Sequence, residues 1–185
     1  MQQNLCMIAI EAIERRHCAS IQEIMSDPEL ARTTEIPSPL PPDAASGWIA
    51  RMRSLEENGT GFTFVILVDN RVVGACGLYG VDGERKAASL GFFIGTAHWR
   101  RGYATAGSRI LLARGFIVMG LRSVQASCLA WNAGAVRVLT KLGFQPFHEG
   151  LPPPGSKFSA AERYLYWSMT RDQWAVVNGE TSLPA

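Results

Sequence analysis

The stretch "FFIGTAHWRRGYAT", residues 92–105, decides the reading of this chain. An apolar run stops at Gly95, a short polar loop follows, and Gly102 opens a long apolar pattern. That order predicts a strand, a loop and a helix start. The first turn of a helix leaves backbone N–H groups unpaired and carries a partial positive charge. Phosphate is a natural partner for such a site. Gly102 lets backbone approach an anion closely, and Thr105 adds a hydroxyl. Arg100 and Arg101 add two fork-shaped cations that suit phosphate oxygens. Taken alone, the same residues also fit a solvated basic loop with a turn glycine.

Before this stretch, "CMIAIEAIE" (6–14) predicts a first strand, and "CASIQEIMSDPE" (18–29) a helix on Ile21, Ile24 and Met25. Asp27-Pro28 ends that helix or starts the next, since proline fits a first helical turn. "IPSPLPPD" (36–43) is a proline-rich loop, and Asp43 is the expected cap of a helix marked by Ala44, Trp48, Ile49 and Met52. "GFTFVILVDNRVVGACGLYG" (61–80) is a hairpin turning at Asp69-Asn70. Its glycines lack dinucleotide-fold spacing and open no helix. After the turn "GVDGERK" comes the strand "AASLGFFIG" (87–95).

The segment 102–120 predicts one helix with Ala106, Ile110, Ala113 and Ile117 on one face, widened by Leu111 and Val118. "RSVQASCLA" (122–130) is a strand, and "NAGAVRVLTKLG" (132–143) a short helix stopping at Gly143. "FQPFHEG" and "RYLYWSMT" are closing strands around the loop "LPPPGSKFSAAE" (151–162). The result is a mixed α/β domain, and at 185 residues a single domain spanning 1–185 is expected.

A net charge of +2 gives no global pull toward nucleic acid or a membrane surface, so any basic function is local. The cysteines Cys6, Cys18, Cys76 and Cys128 fall in no C-x-x-C pair and have no histidine at ligand spacing. Neither a metal site nor a disulfide framework is expected, and a reducing, cytoplasmic compartment is. The first sixteen residues lack the pattern of a secretory leader, and no apolar run approaches the length of a membrane span.

Several blocks together resemble the GNAT acetyltransferase superfamily. Its acyl-CoA loop motif, Q/R-x-x-G-x-G/A, falls on Trp99 to Ala104. Tryptophan in the first place resembles the RimJ/RimL-like branch, as does "WNAGAVRVLTKLGF" beside that branch's N-x-x-S-x-R-V-x-x-K-L-G-F. "SDPELARTTEIPSPLPPDAASGWI" and "LGFFIG" match in order and spacing, so the resemblance covers roughly residues 7 to 171.

The resemblance implies a central, mostly antiparallel, twisted sheet of six or seven strands, splayed in the middle and flanked by about four helices. It implies acetyl-CoA as co-substrate. Phe92, Phe93 and Ile94 would lie on the splayed strand, with backbone of Phe93 and Ile94 pairing with the pantetheine arm. Amides of Arg101, Gly102, Tyr103, Ala104 and Thr105 would hold the pyrophosphate beside Arg100. Asn132 would touch the CoA arm, although an asparagine there also suits helix capping. Arg137 and Lys141 are expected to be ordinary exposed helix positions.

The activity implied is transfer of acetyl to a primary amine, a protein N-terminus or a small molecule. A homodimer is the partner left open. Three polar positions of the branch are replaced, by Ser89, Ala106 and Ala135, so its catalytic groups do not carry over directly. Candidates that remain are Tyr164 and Tyr166 as acid and Glu84 in the turn before the splayed strand, with Tyr79, Asp82, Glu149, Ser127 and His148 behind them. The same replacements motivate a competing reading, a CoA-binding module without turnover.

Overall fold

The computed structural model describes residues 7–179. Cys6 and the residues before it, part of the stretch read for a leader, lie outside the described residues, as do residues 180–185. The chain runs β1 (Ile8–Ala12), α1 (Cys18–Met25), α2 (Pro28–Ala31) and α3 (Ala44–Glu57), then a meander of β2 (Gly61–Val68), β3 (Arg71–Asp82) and β4 (Ala87–Ile94). It continues through α4 (Tyr103–Ala113), β5 (Ser123–Leu129), α5 (Ala133–Leu142), β6 (Gln145–Gly150), β7 (Tyr164–Thr170) and α6 (Arg171–Asn178).

The strands form one seven-stranded sheet in the order β1-β2-β3-β4-β5-β7-β6. Every neighbouring pair is antiparallel except β4 and β5, which run parallel. Strand alternation sends Phe64 and Ile66 to one face and Val65 to the other. Leu111, Leu112 and Phe116 cover the first face; Ile21, Met25, Ile49 and Met52 cover the second. Each such buried aliphatic stabilises the fold by about 1.5–3 kcal/mol against exposure.

Local chemistry explains most ends. The β2–β3 hairpin turns on Asp69 and Asn70 at φ 48° and 63°, left-handed values that Asn and Asp tolerate. Asp27 caps α2, accepting from Glu29 N at 2.9 Å, with Pro28 in the first turn. Asp43 stands at the start of α3 but makes no side-chain cap bond. Gln22 Oε1, reaching from α1, accepts from Ala45 N there at 2.9 Å.

Two elements differ from the sequence reading. Segment 102–120 is not one helix: α4 ends at Ala113 and Arg114–Val118 winds as a π turn, closed by Met119 N to Arg114 O at 3.0 Å. The buried line is Gly107, Ser108, Leu111, Leu112, Gly115 and Phe116, while Ile110, Ile117 and Val118 are 42%, 49% and 74% exposed. Close packing decides this. A Cβ on Gly107 would meet Ile66 Cδ1 at 2.7 Å, so the helix lies on the sheet by its smallest residue. The wider π turn then carries Ile117 and Val118 outward. The second difference is α6, beyond the last expected strand. Its signal is a capping box: Thr170 Oγ1 accepts from Gln173 N at 3.2 Å, and Gln173 Oε1 accepts from Thr170 N at 2.8 Å. Trp174 is buried, stacked on Phe116 at 5.5 Å.

Candidate active site

β4 and β5 pair only at Ala87, Ala88 and Ser89, opposite Ser123, Val124 and Gln125. Beyond Ser89, β4 stays with β3 and β5 stays with β7, so a V-shaped gap opens between them. Gly95 N donates to Val73 O on the β3 side at 2.9 Å. Alternation of backbone groups turns Phe93 the same way, and Phe92 and Ile94 toward the gap. The Phe93 backbone, expected to face the gap, thus faces β3, whereas the backbone of Phe92 and Ile94 faces the gap; all three residues line it. The Phe93 side chain lies instead against Trp48 of α3, edge-on, with ring centroids 5.8 Å apart. Trp99 Nε1 donates to Ile94 O at 2.7 Å, pinning the strand end beside the loop. Three backbone groups, Phe92 N–H and C=O and Ile94 N–H, therefore remain for an incoming extended chain.

The gap widens into a cavity of about 1260 Å³. On one side lie the loop and the mouth of α4: Arg100, Gly102, Tyr103, Ala104 and Thr105. Arg100 and Gly102 both have positive φ, 62° and 82°, the left-handed turns from which anion-binding backbone nests are built. The first intrahelical bond runs from Ala106 N to Gly102 O at 3.0 Å, so the amides of Ala104 and Thr105 have no carbonyl within the helix. Arg101 is exposed and does not line the cavity. Arg137 and Lys141 are exposed, as expected, yet both line the cavity with Arg100. None of these three forms an ion pair among the described residues. Asn132 lines the same wall and caps α5, its Oδ1 accepting from Ala135 N at 3.1 Å.

The opposite side is built by α1–α3 and the strand face beneath them. Its lining includes Glu29, Glu35, Trp48, Arg51, Met52 and Tyr79. The Tyr79 ring lies flat over the paired glycines Gly77 and Gly91: a Cβ there would stand 2.4 Å from Tyr79 Oη and 2.9 Å from its Cε2. Thr63 Oγ1 donates to Tyr79 Oη at 3.3 Å, and burial pushes the phenol's pKa up.

Tyr164 enters the cavity from β7. Its hydroxyl donates to Glu35 Oε1 at 2.9 Å, and Ser156 Oγ donates to the same oxygen at 2.7 Å. Lys157 N donates to Glu35 Oε2 at 2.9 Å. The Lys157 ammonium donates to Ala31 O at 2.6 Å and also to Ile36 O. Burial works against the Glu35 charge, but these donors and the ammonium hold its pKa below the usual carboxylate value. Burial raises the Tyr164 pKa, and the adjacent Glu35 charge raises it further.

The other two expected catalytic residues are elsewhere. Glu84 sits exposed in the β3–β4 turn, its amide on Asp82 Oδ1 at 2.9 Å, and does not line the cavity. That turn closes the paired end of β4, while the cavity opens at the other end. Tyr166 is not in the wall either; its hydroxyl donates to Leu151 O at 2.7 Å. Glu35, Arg51 and Lys157 were missed by the sequence reading. Local pattern does not mark them: the partners of Glu35 and Lys157 lie up to 129 residues away, and Arg51 has none among the described residues. Among the described residues, no three His, Cys, Asp or Glu side chains gather as a metal site, and no helix is long and apolar enough to cross a membrane.

A family model described as "Acetyltransferase (GNAT) domain" matches residues 8–145. A Bacillus licheniformis protein named uncharacterized N-acetyltransferase p20 is 26% identical over 146 residues, 78% of this chain and 81% of its own length. Mycobacterium smegmatis RimJ, solved in complex with CoA-disulfide, aligns with a TM-score of 0.79 at 18% identity, over 94% of this chain and 90% of that one. Vibrio cholerae spermidine N-acetyltransferase, solved with CoA and spermine, aligns with a TM-score of 0.77 at 13% identity, over 90% and 97% of the two chains. At these identities the two solved structures speak for a shared fold.

Proposed function

This chain belongs to the GNAT acetyltransferase family, and from that premise we propose that it moves acetyl from acetyl-CoA directly to a primary amine in a ternary complex of the RimJ/RimL-like kind. Residues 1–185 then act as one catalytic domain in the reducing cytoplasm. The carrying observation is the open β4 edge leading into the mouth of α4 within one cavity. An extended pantetheine arm would pair with Phe92 and Ile94, and a pyrophosphate would meet the amides of Gly102 to Thr105. The helix mouth supplies about half a charge, so Arg100 at the wall and Arg101 outside it add the rest. Asn132 would offer its amide nitrogen to the arm while its oxygen caps α5.

The chemistry needs a neutral amine, a stabilised carbonyl oxygen and a tolerable leaving thiolate. A protein α-amine has a pKa near 8, so roughly a tenth is neutral at pH 7 without help. Glu35 already accepts three hydrogen bonds, so water in the cavity is the better proton path for the rest. A gap-facing backbone N–H on β4 would polarise the thioester carbonyl. Tyr164, with its raised pKa, is a reluctant acid. To stabilise the departing sulfur it would swing its one proton from Glu35 Oε1 to the sulfur as a hydrogen bond, not give it up outright.

Direct transfer is favoured over an acetyl-cysteine intermediate. Cys128 lines the cavity, but burial raises its pKa and keeps it a thiol. Mixing protein, acetyl-CoA and an amine panel while following thiol release tests the function. Release with at least one amine, without a burst of free thiol before amine is added, is the expected outcome. Saturable CoA binding with no release for any amine would instead leave a binding module.

A further inference from the structure

Charge on the acceptor side of the cavity is unbalanced. Three charged side chains line that side: Glu29, Glu35 and Arg51. Glu29 is paired with Arg32 at 3.0 Å. Glu35 is satisfied by Ser156, Tyr164 and the Lys157 amide, beside the Lys157 ammonium. Arg51 has neither an ion pair nor a side-chain hydrogen bond among the described residues. It follows Trp48 by one turn of α3, so both reach the cavity with Met52 beneath them, and its charge is felt at Tyr79. A guanidinium carries five donors in a planar fork that matches a carboxylate's two oxygens.

We propose that Arg51 binds a carboxylate of the acceptor, so that the substrate is an amine with a carboxylate a few bonds from its nitrogen. Free amino acids and peptides with an acidic residue near the N-terminus share that chemistry. The proposal rests on the acetyltransferase reading and narrows its acceptor. A polycationic amine fits this wall poorly, because both carboxylates are already compensated and Arg51 repels it. A cation here also favours the neutral, nucleophilic form of the amine.

Matched acceptors provide the test: a free amino acid against its carboxamide, a C-terminally amidated peptide with a free N-terminus and Asp in second position against the same peptide with Asn, and spermidine. Thiol release should be at least tenfold more efficient, in kcat/KM, for the carboxylate member of a pair. Arg51→Gln should remove that gap by lowering the carboxylate member alone, with CoA affinity unchanged. Which pair shows the gap identifies the source of the carboxylate. Equal efficiency within both pairs, preference for spermidine, or a gap that survives Arg51→Gln would overturn the proposal. Calorimetric titration of the CoA-loaded protein with the same pairs reads carboxylate-dependent binding even without thiol release. Loss of the transfer reading is thereby distinguished from loss of this one.

Discussion

Arg100 holds a left-handed backbone at the cavity wall, whereas Arg101 beside it points to solvent. Arg100→Glu should raise the CoA dissociation constant at least tenfold, about 1.4 kcal/mol, and Arg101→Glu less, with little change in melting temperature. Calorimetry at two salt concentrations checks this, since the charge contribution shrinks with salt. Unchanged affinity in both variants would remove the anion cradle. Tyr164→Phe should lower kcat about tenfold to hundredfold and leave CoA affinity intact, as single-turnover thiol release would show. Glu35 gives a pH signature. Its folded pKa lies below the unfolded one, so its stabilisation is present above the unfolded value, about 4.3, and is lost as pH falls through the folded value. Glu35→Gln should therefore melt below the native protein at pH 7, with the gap closing toward about pH 3.

Among the elements, α4 and α6 show what periodicity can and cannot reveal. Counting apolar residues at helical spacing picks Ile110 and Ile117, yet the sheet accepts Gly107 and Gly115 because contact distance, not hydrophobicity, sets which side lies down. Gly107→Val should destabilise the domain by about 2–3 kcal/mol in urea titration, since Ile66 stands where the new side chain must go. α6 was legible in principle: Thr170 and Gln173 have the spacing of a capping box, and Thr170→Ala should cost about 1 kcal/mol. The β4–β5 gap is another matter. Nothing in "AASLGFFIG" says that pairing stops at Ser89; that depends on where β5 leaves to follow β7.

Across the whole molecule, the loop 151–162 is tied over the α2–α3 segment by Lys157 on Ala31 and Ile36 and by Glu35 on Ser156, Lys157 and Tyr164. Lys157→Met should loosen that strap, speeding limited proteolysis within the loop and raising acceptor KM more than it affects CoA binding. A cleavage rate equal to that of the native protein would sever the link between strap and acceptor side. The sequence by itself determined the seven strands, most of the helices between them and the glycine that opens α4 at the end of the Arg100–Arg101 loop. Those follow from periodicity, turn chemistry and caps, which act over a few residues. Only the tertiary structure decided that β4 parts from β5 directly after Ser89, that Glu84 and Tyr166 stand away from the cavity, and that Arg51 faces it without a partner among the described residues. Strand pairing and charge compensation join residues far apart along the chain, and local pattern carries no record of who the partner is.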